Sequence, residues 1–235
     1  MQITTSDLII AKLKAMRDEK LKAFSAKLLP NIPAERIIGV RIPHLRTFSK
    51  SLALESPHYL SVFLQDLPHF YLEENLLHAF CLEYIRDEQE LFSSIECFLP
   101  HIDNWMVCDT FMPKLFKKQP ASLLPKINIW LTSTHTYTVR FAIGLLLKFF
   151  LTNLFNVEYL DRVAKITVQE YYINMMIAWF FAEALVKQKD ATLPFLQEKK
   201  LQAWVQNKAI QKAVESKRID ENFKSDLKKL KVLNV

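Results

Sequence analysis

Two glycines in 235 residues are far fewer than ordinary usage provides. An average composition of about 7% would place roughly sixteen in a chain of this length. Gly39 and Gly144 alone cannot build a glycine-rich phosphate loop, a dinucleotide fingerprint or a run of tight hairpins. Cysteine is also sparse. Cys81, Cys97 and Cys108 are odd in number and form no C-x-x-C pair, which fits a reducing compartment and argues against a disulfide framework. Long hydrophobic runs are missing too. The greasiest stretch, Phe141 to Leu151, is interrupted by Lys148 and is too short to span a bilayer. Acids and lysines within the first twenty residues exclude a signal peptide there, so a soluble cytoplasmic protein is expected. Cys97 and His101 lie one helical turn apart with Cys108 following, but no fourth ligand arrives at a zinc spacing. His44, His58, His69, His78 and His135 form no H-x-x-x-H pair, and no metal is expected.

Half of the residues are apolar, and they recur at helical spacing along nearly the whole chain. Prolines do the punctuating, since a proline inside a helix removes a donor and clashes with the preceding turn. The pattern predicts an opening helix from Thr5 or Ser6 to about Leu28, an interruption at Pro30 and Pro33, and a second helix near Pro43. Further helices fit 57–65, 69–86, 88–100, 103–118, 120–132, 135–152, 156–166, 169–187, 190–204, 205–217 and 220–231. No convincing alternating strand is present. The expected fold is all-α: a superhelical stack of antiparallel helix pairs, an α-solenoid of HEAT-like repeats forming a single domain over 1–235. Trp105, Arg140 and Trp179 fall at near-forty-residue intervals, which suits that period. An irregular helical bundle is the alternative.

Charge is distributed in blocks. Residues 1–50 carry +6, 51–110 carry −10, 111–186 carry +4 and 187–235 carry +6, for a total of +6. Basic ends around an acidic block are compatible with a polyanionic partner, and equally with lysine-rich solvated helix faces.

One constellation carries possible chemistry. In Asp103-Asn104-Trp105-Met106-Val107-Cys108-Asp109, Asp103 or Asn104 is a good helix cap, and Trp105 and Asp109 then stack one turn apart. Pro113 removes the helical donor to the Asp109 carbonyl and predicts a kink. Cys108 between them reads as a small buried filler. Arg140 stands near the start of its helix, where a cation gains nothing from the dipole, so a carboxylate such as Asp109 or a phosphate should hold it. Trp179 lies within Met-Met-Ile-Ala-Trp-Phe-Phe and, taken singly, reads as core.

The order W-x-x-x-D, then V-R-x-A, then I-A-W resembles the HEAT-like-repeat DNA alkylation repair proteins, the AlkD-type alkylpurine DNA glycosylases. The resemblance runs through GVRIPHLRTFSK (39–50), DNWMVCDTFMPKLF (103–116), TVRFAIGLLL (138–147), YYINMMIAWFFAEALVK (171–187) and NKAIQKAVESKRI (207–219), nearly the whole chain. It implies that Trp105, Asp109 and Trp179 surround the deoxyribose of a damaged nucleotide and act as the catalytic set. It implies that Arg140 contacts the DNA backbone. The basic residues of the first and last repeats, Arg41, Arg46, Lys208, Lys212 and Arg218, are expected to join it. It further implies hydrolysis of cationic 3- or 7-alkylpurines in double-stranded DNA without base flipping, metal or cofactor.

One segment departs from that family. Its catalytic members carry a helix before the G-x-x-x-P segment that lies in the minor groove, whereas residues 26–36 here are short and broken by two prolines. That departure supports a second reading, a non-catalytic homologue binding DNA weakly or binding a protein partner. A third is a helical scaffold whose Trp/Asp set only packs.

Overall fold

A computed structural model describes residues 4–233, the side chain of Lys114 excepted. Every regular element among the described residues is helical, so the all-α architecture expected of a helix-pair stack is what forms. No helix among them is long and apolar enough to cross a membrane. The chain divides into two compact units, one ending at Gln119 and one starting at Pro120.

The first unit contains α1 (Thr5–Ala15), α2 (Glu19–Leu28), α3 (Ile42–Glu55), α4 (Pro57–Gln65), α5 (Leu72–Leu82), α6 (Glu88–Phe98), α7 (Trp105–Thr110) and α8 (Lys114–Lys118). α3, α5 and α7 lie side by side in one layer, with α4 packed against α3 and α6 against α5. Phe63, Phe80, Phe98, Phe111 and Phe116 are fully buried in this unit. A phenylalanine removed from water contributes roughly 1.5–3 kcal/mol, so these five rings are a core in their own right.

The second unit contains α9 (Leu124–Trp130), α10 (Thr136–Phe149), α11 (Val157–Ala164), α12 (Tyr171–Lys187), α13 (Lys189–Gln197), α14 (Ala203–Glu215) and α15 (Glu221–Lys229). Here α10, α12 and α14 form a layer, and each packs against at least one of α9, α11, α13 and α15. Within the layer the helices run parallel: Tyr137 meets Tyr172 and Tyr171 meets Trp204 at the starts, while the Gln188 side chain reaches the Leu151 carbonyl at the ends. At Gly144, where α10 packs on α12, an added Cβ would sit 3.7 Å from the Met176 methyl, an ordinary contact.

Four boundaries differ from the sequence reading. The opening helix is two helices, because Asp18 caps α2 with its side chain and donates its own N–H to the Gly39 carbonyl at 2.8 Å. Thr4, rather than Thr5 or Ser6, caps α1 in a reciprocal box with Asp7. The predicted helix over 103–118 is broken rather than kinked: α7 stops at Thr110, Phe111 is extended, and Pro113 leads into α8. Near 198–202 the chain leaves α13 through Lys199 at φ 54° before α14 begins.

The joint between α2, α3 and α5 rests on one carboxylate. Glu73, 2% exposed, accepts from the backbone N–H groups of Ile38, Gly39 and Val40 at 2.9, 2.7 and 3.3 Å. Those donors lie between the turn after α2 and the start of α3, so the acid replaces the partners a strand or helix would supply. Gly39 has φ +93°, and a Cβ there would lie 2.4 Å from the Asp18 carbonyl oxygen and 2.8 Å from the Lys22 nitrogen. No side chain fits.

A second buried polar joint is made of rings. Phe63 stacks on His69 at 4.4 Å, His69 Nε2 and His78 Nδ1 share a hydrogen bond at 2.9 Å, and His78 stacks on Phe98 at 4.0 Å. Burial pushes the His69 pKa down to about 4. Burial, then the neighbouring His69 and His101, hold His78 well below its ordinary value.

Gly39→Ala is expected to cost about 3 kcal/mol or more and Glu73→Gln about 2 kcal/mol or more, because one carboxylate acceptor becomes a donor facing N–H groups. Both are read as lowered urea midpoints. The depressed histidines keep their stabilising neutral form in full above their unfolded pKa near 6.5 and lose that contribution as pH falls toward 4. Unfolding free energy should therefore drop by on the order of 2 kcal/mol between pH 7 and 5 from His69 alone, with His78 adding in the same direction. A His69→Phe/His78→Leu variant should flatten that profile. Glu74, whose pKa burial raises, acts in the opposite sense and makes the net slope shallower.

Candidate functional site

α7 is six residues long and owes its start to Asn104. The Asn104 side chain, 1% exposed, accepts from the Val107 N–H at 3.0 Å and donates to Asp103 at 2.9 Å. Of the two caps the sequence offered, Asn104 does the capping. That leaves Asp103 to accept from the Arg36 guanidinium at 2.7 Å, while the Asp103 carbonyl accepts from the Asn31 amide at 2.8 Å. Trp105 and Asp109 then fall on one face of α7, both half-buried. The Trp105 indole N–H donates to the Leu28 carbonyl at the end of α2, at 3.3 Å. Cys108 points inward at 2% exposure, a small filler as expected.

These bonds attach the short segment after α2 to the start of α7. Between α2 and α3 the only regular element is one 3-10 turn, Ala34–Arg36. Its Arg36 reaches Asp103, and Asn31 from the preceding turn reaches the same residue. The segment is thus a clip beside Trp105 rather than a projecting helix.

In the second unit Arg140 is 5% exposed, and its guanidinium donates to the Tyr172 carbonyl at 2.6 Å in the first turn of α12. Trp179 is not core. It is 38% exposed, on the stripe of α12 that also carries Tyr171, Met175 and Glu183. Its neighbours Ala178, Phe180 and Phe181 are fully buried, so the ring faces outward by position rather than by loose packing. Trp179 borders a concavity of about 260 Å³ together with Glu183, Lys212, Glu215 and Arg218.

The basic residues expected on a DNA backbone are mostly engaged. Arg41 pairs with Asp18 at 2.6 Å, and Arg46 pairs with Glu83 at 3.0 Å while its guanidinium lies 4.1 Å from the centre of the Phe80 ring. Arg218 grips both oxygens of Glu183, one of them at 3.1 Å. Lys208 donates to Gln211 at 2.9 Å and lies over the Trp204 ring at 5.7 Å. The Arg41–Asp18 pair is the most exposed of these and the one a phosphate displaces most readily, whereas Arg46 and Arg218 are held by carboxylates that are themselves largely buried.

The structure therefore brings Trp105 and Asp109 together in one unit, and Trp179, Lys212 and Arg218 together in the other. Sequence reasoning passed over Glu183, Tyr171 and Trp204. The i, i+4, i+8, i+12 spacing of Tyr171, Met175, Trp179 and Glu183 was the available signal for the first two. Among the described residues, no group of three or more histidines, cysteines or acids is arranged to hold a metal ion.

No curated protein matches this sequence. The family described as DNA alkylation repair enzyme matches it over residues 9–213, which spans both units and includes Trp105, Asp109, Arg140 and Trp179. With most of its length accounted for in this way, the chain belongs to the DNA alkylation repair enzyme family.

Proposed function

We propose that the protein is an AlkD-type glycosylase of HEAT-like repeats, hydrolysing the N-glycosidic bond of cationic 3- or 7-alkylpurines in duplex DNA. The observation that carries this reading is the pairing of Trp105 with Asp109 on one face of α7. An outward-facing Trp179 supports it.

The chemistry suits so small a set. An N3- or N7-alkylated purine already bears positive charge, so it leaves without a general acid. The C1′–N bond breaks with its electron pair going to the purine, and the sugar becomes oxocarbenium-like. The Asp109 carboxylate stabilises that cation and orients a water at C1′; the water adds, and its proton passes to Asp109 or to solvent. Indole faces of Trp105 and Trp179 add about 0.5–2 kcal/mol each through cation–π attraction. No metal or cofactor takes part, and the lesion need not enter a base pocket, unlike most base-processing chemistry. Double-stranded alkylated DNA is the partner, with Arg41, Arg46, Lys208, Lys212 and Arg218 on its backbone and the cytoplasm as the site of action; Arg140, buried on the Tyr172 carbonyl, steadies the start of α12 instead of reaching a phosphate.

One observation favours a second reading. With a single 3-10 turn between α2 and α3, the protein has no helix there to enter a minor groove. A non-catalytic homologue that binds DNA weakly, or binds a protein partner, fits that feature.

Release of 7-methylguanine from methylated duplex DNA under single-turnover conditions separates the two. The glycosylase reading expects release well above the buffer rate. Asp109→Asn should slow it at least about 100-fold and Trp179→Ala about 10-fold, with thermal midpoints unchanged. Wild-type release at the buffer rate leaves the second reading standing.

A further inference from the structure

We infer that the N-terminal ends of α12 and α14 form a stacking shelf for unpaired bases of a DNA strand, separate from the Trp105/Asp109 face. The inference rests on DNA being the partner, not on base release.

Tyr171 opens α12 and is 54% exposed. It meets Trp204, the second residue of α14, with ring centres 5.8 Å apart and planes at 61°. On its other side Tyr171 meets Tyr172 at 5.3 Å and 82°. Tyr172 continues to Tyr137 of α10 at 5.7 Å. The rings form a row across the starts of three parallel helices. Neither contact of Tyr171 is a parallel stack, so neither covers a ring plane as a stacked base would.

Tyr171 leaves more than half of its surface in water, whereas Trp204 and Tyr172 are half-buried and Tyr137 is buried, so Tyr171 is the ring whose exposed face adds little to the fold. Partly exposed aromatic rings are the elements that single-stranded nucleic acid binding uses. Every base has a flat π-face, so stacking on Tyr or Trp tolerates any sequence, and a nearby cation takes the phosphate.

The cation is present. Lys208 lies one turn after Trp204, with its ammonium 5.7 Å from that ring and donating to the neutral Gln211 amide at 2.9 Å. The turn leading into α14 adds Lys199 and Lys200, against Glu198, which pairs with Lys200 at 3.0 Å. Glu170 before Tyr171 is the other acid nearby in sequence. In sequence these are three lysines against two acids, a positive bias that suits an anionic chain, and the flat ring faces then favour nucleic acid bases over an acidic peptide.

The shelf also aligns with the site already described. Tyr171 and Trp179 lie on the same stripe of α12, eight residues apart, or about 12 Å at 1.5 Å per residue. α14 supplies Lys208 over Trp204, the ring that Tyr171 touches, and Lys212 at the concavity beside Trp179. A strand running along α12 would meet an aromatic ring and a lysine at each station.

Fluorescence anisotropy of a labelled oligothymidine about twelve nucleotides long, against a blunt duplex of equal length at low salt, tests this. The wild type should bind the single strand. Tyr171→Ala and Trp204→Ala should each weaken that binding about 10-fold, while Tyr171→Phe and Trp204→Phe retain it within about 2-fold. Lys208→Gln should lower the salt slope by about 0.7. Absence of single-strand binding by the wild type, or unchanged binding by the alanine variants, overturns the shelf. Equal losses for single strand and duplex overturn the unpaired-base assignment. Retained single-strand binding by a protein that releases no 7-methylguanine removes the glycosylase reading and leaves the shelf in place.

Discussion

A charged oxygen pair buried beneath three backbone N–H groups organises the first unit. Glu73 reaches from the start of α5 to Ile38, Gly39 and Val40, holding an irregular stretch that has no ladder or helix to satisfy it. Because Gly39 is pinned there, its carbonyl is placed to accept from Asp18, and Asp18 is thereby placed to start α2 and to pair with Arg41. The end of α2 then lies where its Leu28 carbonyl meets the Trp105 indole. A single carboxylate thus sets, through consecutive short links, where the α7 tryptophan sits. Ordinary hydrophobic packing would bring these helices together, but it would not fix which backbone atom faces the ring.

The second unit places its exposed groups differently. α10, α12 and α14 share one layer and run parallel, so equivalent positions recur side by side on neighbouring helices. α12 is apolar nearly all round, and the few positions left outside are taken by Tyr171, Trp179 and Glu183. Such a helix cannot be amphipathic in the usual sense. Whatever it exposes is conspicuous against a background of buried Ile, Met, Phe and Ala.

Much of this could be read in the residues, and the misses share a cause. Apolar spacing and proline positions yielded the helices, because both act locally through backbone geometry. The stacked Trp105 and Asp109 followed from the 3.6-residue turn alone. What failed depended on distant partners. The break at Arg17–Asp18 is caused by Gly39, some twenty residues on, and helical periodicity carries no trace of it. Glu73 looked like one more acid in an acidic block until three N–H groups converged on it. Trp179 looked like core because its neighbours are core, and only the phase of the helix decides which way each residue points. Trp204 escaped notice because its helix was expected to end there, whereas α14 begins one residue earlier.

The carboxylates that hold Arg41, Arg46 and Arg218 have a consequence for the DNA contact proposed above. A phosphate that took one of these arginines would displace an anion fixed in the protein rather than draw on an unoccupied charge. The displaced acid would stay beside the strand and repel it, and the largely buried Glu83 and Glu183 would lose their counter-charge as well. Under that reading each arginine lends a duplex little grip, whatever its formal charge.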